Sequence, residues 1–204
     1  MPPVDRFVTR FAAEPPQEGL PYGRWADRLR HEFLGACLRV DVDEDDGDLG
    51  EPGDVVWFPD RTWDGRTYIP ATARTANGFE LFGYVSFTPG DEDTEPDHFR
   101  AWADYTDLVA EKHPEWKMDL NDEVLGGWRG EQGNVAAMTL VWGRPLVSGG
   151  AIVTAELADL AVDQCALLEN RFTLIAPDDY GGDTLDVKLW DARGTELAAE
   201  SLYE

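Results

Sequence analysis

Two dipeptides, Asp64-Gly65 and Asn77-Gly78, constrain the fold more than any other feature of the sequence. They separate runs rich in β-branched and aromatic residues: Val55, Val56, Trp57 and Phe58 before the first, residues 66–75 between them, and residues 79–88 after the second. Asp-Gly and Asn-Gly are preferred two-residue hairpin turns, because both central positions need positive φ. The pattern predicts a three-stranded antiparallel meander over 54–88. Pro59 and Pro70 each lack an N–H, so their strands are expected to be edges or to carry bulges at those points.

The rest of the chain extends the same scheme. Trp25, Leu29, Phe33, Cys37 and Val40 recur at steps of four and three and predict an amphipathic helix over 24–39. Phe99, Trp102, Ala103, Thr106, Val109 and Ala110 predict a second helix, with Thr94 as N-cap, Pro96 in the first turn, Asp97 at the capping-box position and His113-Pro114 as the stop. Residues 123–128 and 134–142 read as a hairpin around a loop at 130–133. Residues 151–170 read as a strand into a helix, with Asn170 as its C-cap. A short strand follows at 172–176, then a terminal hairpin of 184–190 and 195–202.

Strands clustered in hairpins, with helices between the clusters, define an α+β class: a mainly antiparallel sheet built from hairpins and meanders, with two or three packed helices. Crossovers are too short for parallel βαβ units. Residues 1–204 are expected to form a single domain, with a subdivision near residue 120 as the alternative. Trp25, Phe33, Trp57, Phe82, Trp102, Val141 and Trp190 are the expected buried set.

Charge sets the function classes. With 17 basic and 41 acidic residues the formal net charge is -24, while 43% hydrophobic residues keep the chain in the globular range. Phosphate backbones and anionic membranes are bound through Lys and Arg, so nucleic-acid and membrane partners are disfavoured and a basic protein partner is favoured. The opening Met-Pro-Pro-Val-Asp-Arg-Phe lacks the pattern of a secretory signal, and a cytoplasmic location is expected.

Residues 41–54 hold eight acids in fourteen positions and no base, and read as an exposed, mobile loop. Within them Asp41, Asp43 and Asp45 match positions 1, 3 and 5 of a calcium loop, but Asp46 stands where Gly belongs and Pro52 where Glu belongs. No cofactor is expected beyond a weakly held divalent cation. His31, His98 and His113 lack zinc spacing. Ser86, Ser148 and Ser201 lack a nucleophile elbow, and Gly126-Gly127 and Gly149-Gly150 lack the rest of a phosphate loop. Cys37 and Cys165 sit among apolar residues and read as small hydrophobes. The least arbitrary ligand site is Trp57, Asp60, Trp63, Asp64 and Tyr68, carboxylates beside a turn lined by aromatics. Two functions follow: a non-enzymatic acidic binding domain that masks a basic protein partner, or a carboxylate- or divalent-metal-dependent enzyme acting on a small molecule or sugar in a Trp-lined cleft.

Overall fold

The computed structural model of the protein describes residues 19–90, 95–129, 135–178 and 183–202. The chain divides into two compact units, one within Pro16–Glu115 and one within Trp116–Glu204. Each is built mainly from antiparallel strands.

The first unit opens with helix α1 (Gly23–Cys37), which buries Leu29 and Phe33 of the predicted stripe together with Ala36, and half-buries Trp25. Full burial of Leu or Phe stabilises by roughly 1.5–3 kcal/mol each. Strands β1 (Pro52–Trp57), β2 (Arg61–Trp63), β3 (Arg66–Thr75), β4 (Glu80–Thr88) and β5 (Asp97–Thr106) form one sheet in the order β1-β3-β4-β5, with β2 also pairing β3. Asp64 and Gly65 have φ of 50° and 72°, as a tight two-residue turn between β2 and β3 requires.

Asn77-Gly78 turns differently from the expectation. Only Gly78 has positive φ, 89°. Its N–H donates to the Thr75 carbonyl at 3.1 Å, and the Thr75 N–H donates to the Phe79 carbonyl at 2.9 Å. This is a longer turn closed by a glycine bulge. Asn77 keeps negative φ and uses its side-chain amide to hold the Asp48 carbonyl at 2.7 Å.

Pro70 lies in an interior strand. β2 pairs residues 66–68 of β3 and β1 pairs residues 71–75, so the missing donor falls at the break between them. There the Phe58 N–H donates to the Pro70 carbonyl at 3.0 Å.

The second helix predicted for the 94–110 region is replaced by a strand. Thr94 lies outside the described residues, and Pro96 and Asp97 begin no helix. Residues 97–106 form β5, paired with β4 from Glu80↔Thr106 to Thr88↔Asp97. Two periods fit this segment, and strand pairing wins. Phe99, Ala101 and Ala103 alternate onto the cluster around Leu29, Phe33, Ile69, Ala71 and Val85, and its β4-facing ladder groups gain partners from β4. Gly83 allows the close approach, since a Cβ there would collide with the Trp102 carbonyl. Only a single-turn 3-10 segment, Ala110–Lys112, follows. Among the described residues α1 is therefore the single α-helix, against the two or three expected.

The second unit holds two sheets around one core. β6 (Met118–Arg129) and β7 (Val135–Pro145) join β10 (Phe172–Asp178) in the order β10-β7-β6. β8 (Gly150–Leu157), β9 (Leu160–Ala166), β11 (Leu185–Asp191) and β12 (Glu196–Ser201) form the order β12-β11-β8-β9. The loop predicted at 130–133 lies outside the described residues. Met118, Val141, Phe172 and Leu174 of one sheet share a buried cluster with Val153, Val162, Val187 and Leu189 of the other. Asp163, 1% exposed, ties the sheets: its Oδ2 accepts the Ile175 N–H of β10 and its Oδ1 accepts the Gln164 N–H, both at 2.8 Å.

Residues 151–170 form a hairpin, not a strand and a helix. Ala158 and Asp159 both take positive φ, 49° and 62°, and turn β8 back as β9. Asn170 serves a second tight turn with Glu169, at φ of 61° and 50°, bridging Leu168 and Arg171. Neither turn contains glycine, so neither announced itself.

Phe33, Trp57 and Val141 are buried as expected, while Trp25, Phe82, Trp102 and Trp190 are half-buried. Cys165 is buried. Cys37 is half-buried, and burial pushes its thiol pKa up to about 12. No helix among the described residues is long and apolar enough to cross a membrane.

Candidate functional site

The acidic loop is exposed but held. Residues 41–48 are all exposed, and β1 takes over from Pro52. One side chain on β5 organises the loop. The Tyr105 hydroxyl accepts the Asp43 N–H at 3.0 Å and donates to Asp46 Oδ2 at 2.7 Å. The Asp43 N–H pulls the phenol pKa down. The bond to Asp46, desolvation and the Asp43 and Asp46 charges outweigh it, and the pKa is raised, which keeps the hydroxyl a donor. Phe79 packs edge-on against the Tyr105 ring at 5.8 Å. At the loop's far end Asp48 Oδ1 caps the Gly50 N–H at 2.9 Å, and Asn77 holds the Asp48 carbonyl. Leu49, 9% exposed, anchors the return. These bonds hold Asp43, Asp46 and Asp48 within the exposed loop.

Asp41, Asp43 and Asp45 do not gather. Among the described residues no three His, Cys, Asp or Glu side chains stand together as metal ligands.

The five residues of the predicted aromatic site separate across the first unit's sheet. Trp57, opposite Ala71, faces α1 and meets Phe33 edge-on with centroids 6.2 Å apart. Asp60 is 5% exposed and sits in the break between β1 and β2. Asp64 is exposed in its turn, and Trp63 is half-buried. Tyr68 points to the face opposite α1, as strand alternation from Ile69 demands.

On that face the register lines up residues that lie far apart in sequence. Arg61 pairs Tyr68, Tyr68 pairs Ser86, and Ser86 pairs Arg100, one from each of β2, β3, β4 and β5. Arg66 closes over the row, its Nη2 donating to Ser86 Oγ at 3.1 Å and to the His98 carbonyl at 2.8 Å. Burial raises the Tyr68 pKa, the Arg66 guanidinium opposes it, Asp64 raises it and Arg100 lowers it. These charges therefore surround one hydroxyl. The neighbouring row pairs Tyr84 with Trp102, which stack at 5.9 Å, and Tyr68 meets Tyr84 edge-on at 5.6 Å. Arg66, Ser86, Tyr84, Arg100 and Trp102 were not among the predicted ligand residues. Their alternation within β3, β4 and β5 would have placed them on one face once β5 was read as a strand.

No family model, curated protein or solved structure matches the chain.

Proposed function

We propose that the protein is a non-enzymatic binding domain that docks a basic protein partner on the loop of residues 41–51, in the cytoplasm. The observation that carries this reading is the Tyr105 hydroxyl, bonded to both Asp43 and Asp46 of an otherwise exposed acidic segment. Like charges repel and would spread a free loop. A loop already held in one conformation spares a partner much of the ordering cost, about 0.5–1.5 kcal/mol per immobilised side chain. None of Asp41, Asp43, Glu44, Asp45 and Asp46 is in a salt bridge to another described residue. Their charge is available to steer a cationic surface and to accept its hydrogen bonds.

A titration with a short Arg- and Lys-rich peptide, followed by amide chemical shifts, tests the reading. The largest shifts are expected at residues 41–50 and at Tyr105. Shifts spread evenly over all exposed acids would show only diffuse attraction to the net charge, and would reject the loop as the docking site.

A further inference from the structure

The arginine row on the face of the first unit's sheet opposite α1 has the opposite charge to the acidic loop. We propose that Arg66 and Arg100 form a site for a small-molecule oxyanion, a phosphate or carboxylate, carried on a planar ring that rests against the Tyr84–Trp102 stack. This inference is independent of the docking loop.

The geometry supplies each part. Ser86 and Arg100 are cross-strand partners, and Tyr84 and Trp102 are the adjacent pair on the same two strands. Directly paired side chains stand about 4.5–5.5 Å apart, and the next pair on the same face about 7 Å away. That is the separation between an oxyanion and the ring that bears it. Arg66 is already oriented by its two bonds, both donated by Nη2, and it offers an oxyanion its charge and the remaining Nη1 donors. Arg100 is exposed, and its guanidinium makes no hydrogen bond or ion pair with another described residue. In a chain with 41 acids and 17 bases, Arg61, Arg66 and Arg100 gather about one tyrosine on one face of the sheet. The net charge of -24 does not cancel their charge, since exposed charges beyond about 8 Å are largely screened at physiological salt. Among the described residues, Asp60, Asp64 and Asp97 are acids near this row. Asp64 acts on Tyr68, and Asp97 lies 3.4 Å from His98.

The test is a titration of the full chain with phenyl phosphate, read from the Nε–H signals of Arg66 and Arg100 and the indole N–H of Trp102. Saturable shifts of all three are expected. Arg100→Gln, an exposed and structurally mild change, is expected to weaken binding about tenfold, the scale of one lost charge-assisted contact. Arg193→Gln, a charge-matched change in the second unit, is expected to leave binding unaltered. Inorganic phosphate is expected to bind more weakly than phenyl phosphate. Absence of saturation would overturn the proposal, as would Arg100→Gln and Arg193→Gln behaving alike. Equal affinity for the two phosphates would remove the stacked rings from the site.

Discussion

Single side chains carry much of the local order. Tyr105 holds the acidic loop through one hydroxyl, so Tyr105→Phe deletes both bonds while keeping the ring against Phe79. Exposed hydrogen bonds of this kind are worth about 0.5–1 kcal/mol each, so global stability should fall only slightly. Hydrogen exchange of the amides at 43–46 should accelerate severalfold. Unchanged exchange would mean that the backbone holds the loop without the phenol. Asp163 presents the contrasting case. Its carboxylate is buried and satisfies two backbone N–H groups, one of them on the other sheet. Asp163→Ala strands both donors and should cost about 2–4 kcal/mol. Urea denaturation would show this as a lower midpoint, and a loss under about 1 kcal/mol would contradict the strut role.

At the scale of elements, what was legible in the sequence depended on glycine and on competing periods. Asp64-Gly65 announced the β2–β3 hairpin because its conformation needs residues that tolerate positive φ, and the stripe of α1 could fit only a helix. In β5, Phe99, Trp102 and Ala103 satisfy helical spacing while residues 98–104 also alternate, so the sequence alone points to a helix there. Pairing with β4 settled the matter, and no local signal encodes that pairing. The β8–β9 hairpin was hidden because Ala158 and Asp159 take positive φ without glycine. That backbone is strained for alanine. Replacing Ala158-Asp159 by Asn-Gly should therefore stabilise the protein by about 1 kcal/mol, measurable as a raised denaturation midpoint. A decrease would show that the native turn is held by its side chains. Arg66, Ser86 and Arg100 come together only through the register of three strands, which no local sequence signal encodes.

Pairing also sets a pH response on the second unit's β8–β11 ladder. Lys188 Nζ donates to Glu156 Oε2 at 2.9 Å. Thr154 donates to Glu156 Oε1 at 2.9 Å, and the Trp190 indole donates to Thr154 at 2.8 Å. The bond to Glu156 raises the Lys188 pKa above 10.5. A lysine whose folded pKa exceeds its unfolded value contributes stability that is complete below the unfolded pKa. That stability is lost as pH rises through the folded one. The wild type should therefore lose stability above about pH 10.4, the ordinary lysine value, more steeply than Lys188→Met. Parallel alkaline melting curves for the two would contradict this.

For the whole molecule, the central claim is that a net charge of -24 is focused, by a loop held in place, into a docking site for a basic protein. Net charge alone attracts any polycation, so the decisive comparison holds net charge constant. One variant neutralises Asp41, Asp43, Glu44, Asp45, Asp46 and Asp48 to their amides. Its control neutralises Asp27, Glu95, Asp107, Asp159, Glu169 and Glu196, which are also exposed but dispersed. Neither set should change stability much, because exposed charges contribute little to folding. The measurement is the association rate with the Arg- and Lys-rich peptide from low to physiological salt. The account predicts that the loop variant associates at least several-fold more slowly than the control at low salt, and that its rate depends less on salt. Equal rates for the two variants would contradict it, because the attraction would then belong to the charge of the molecule and not to the loop.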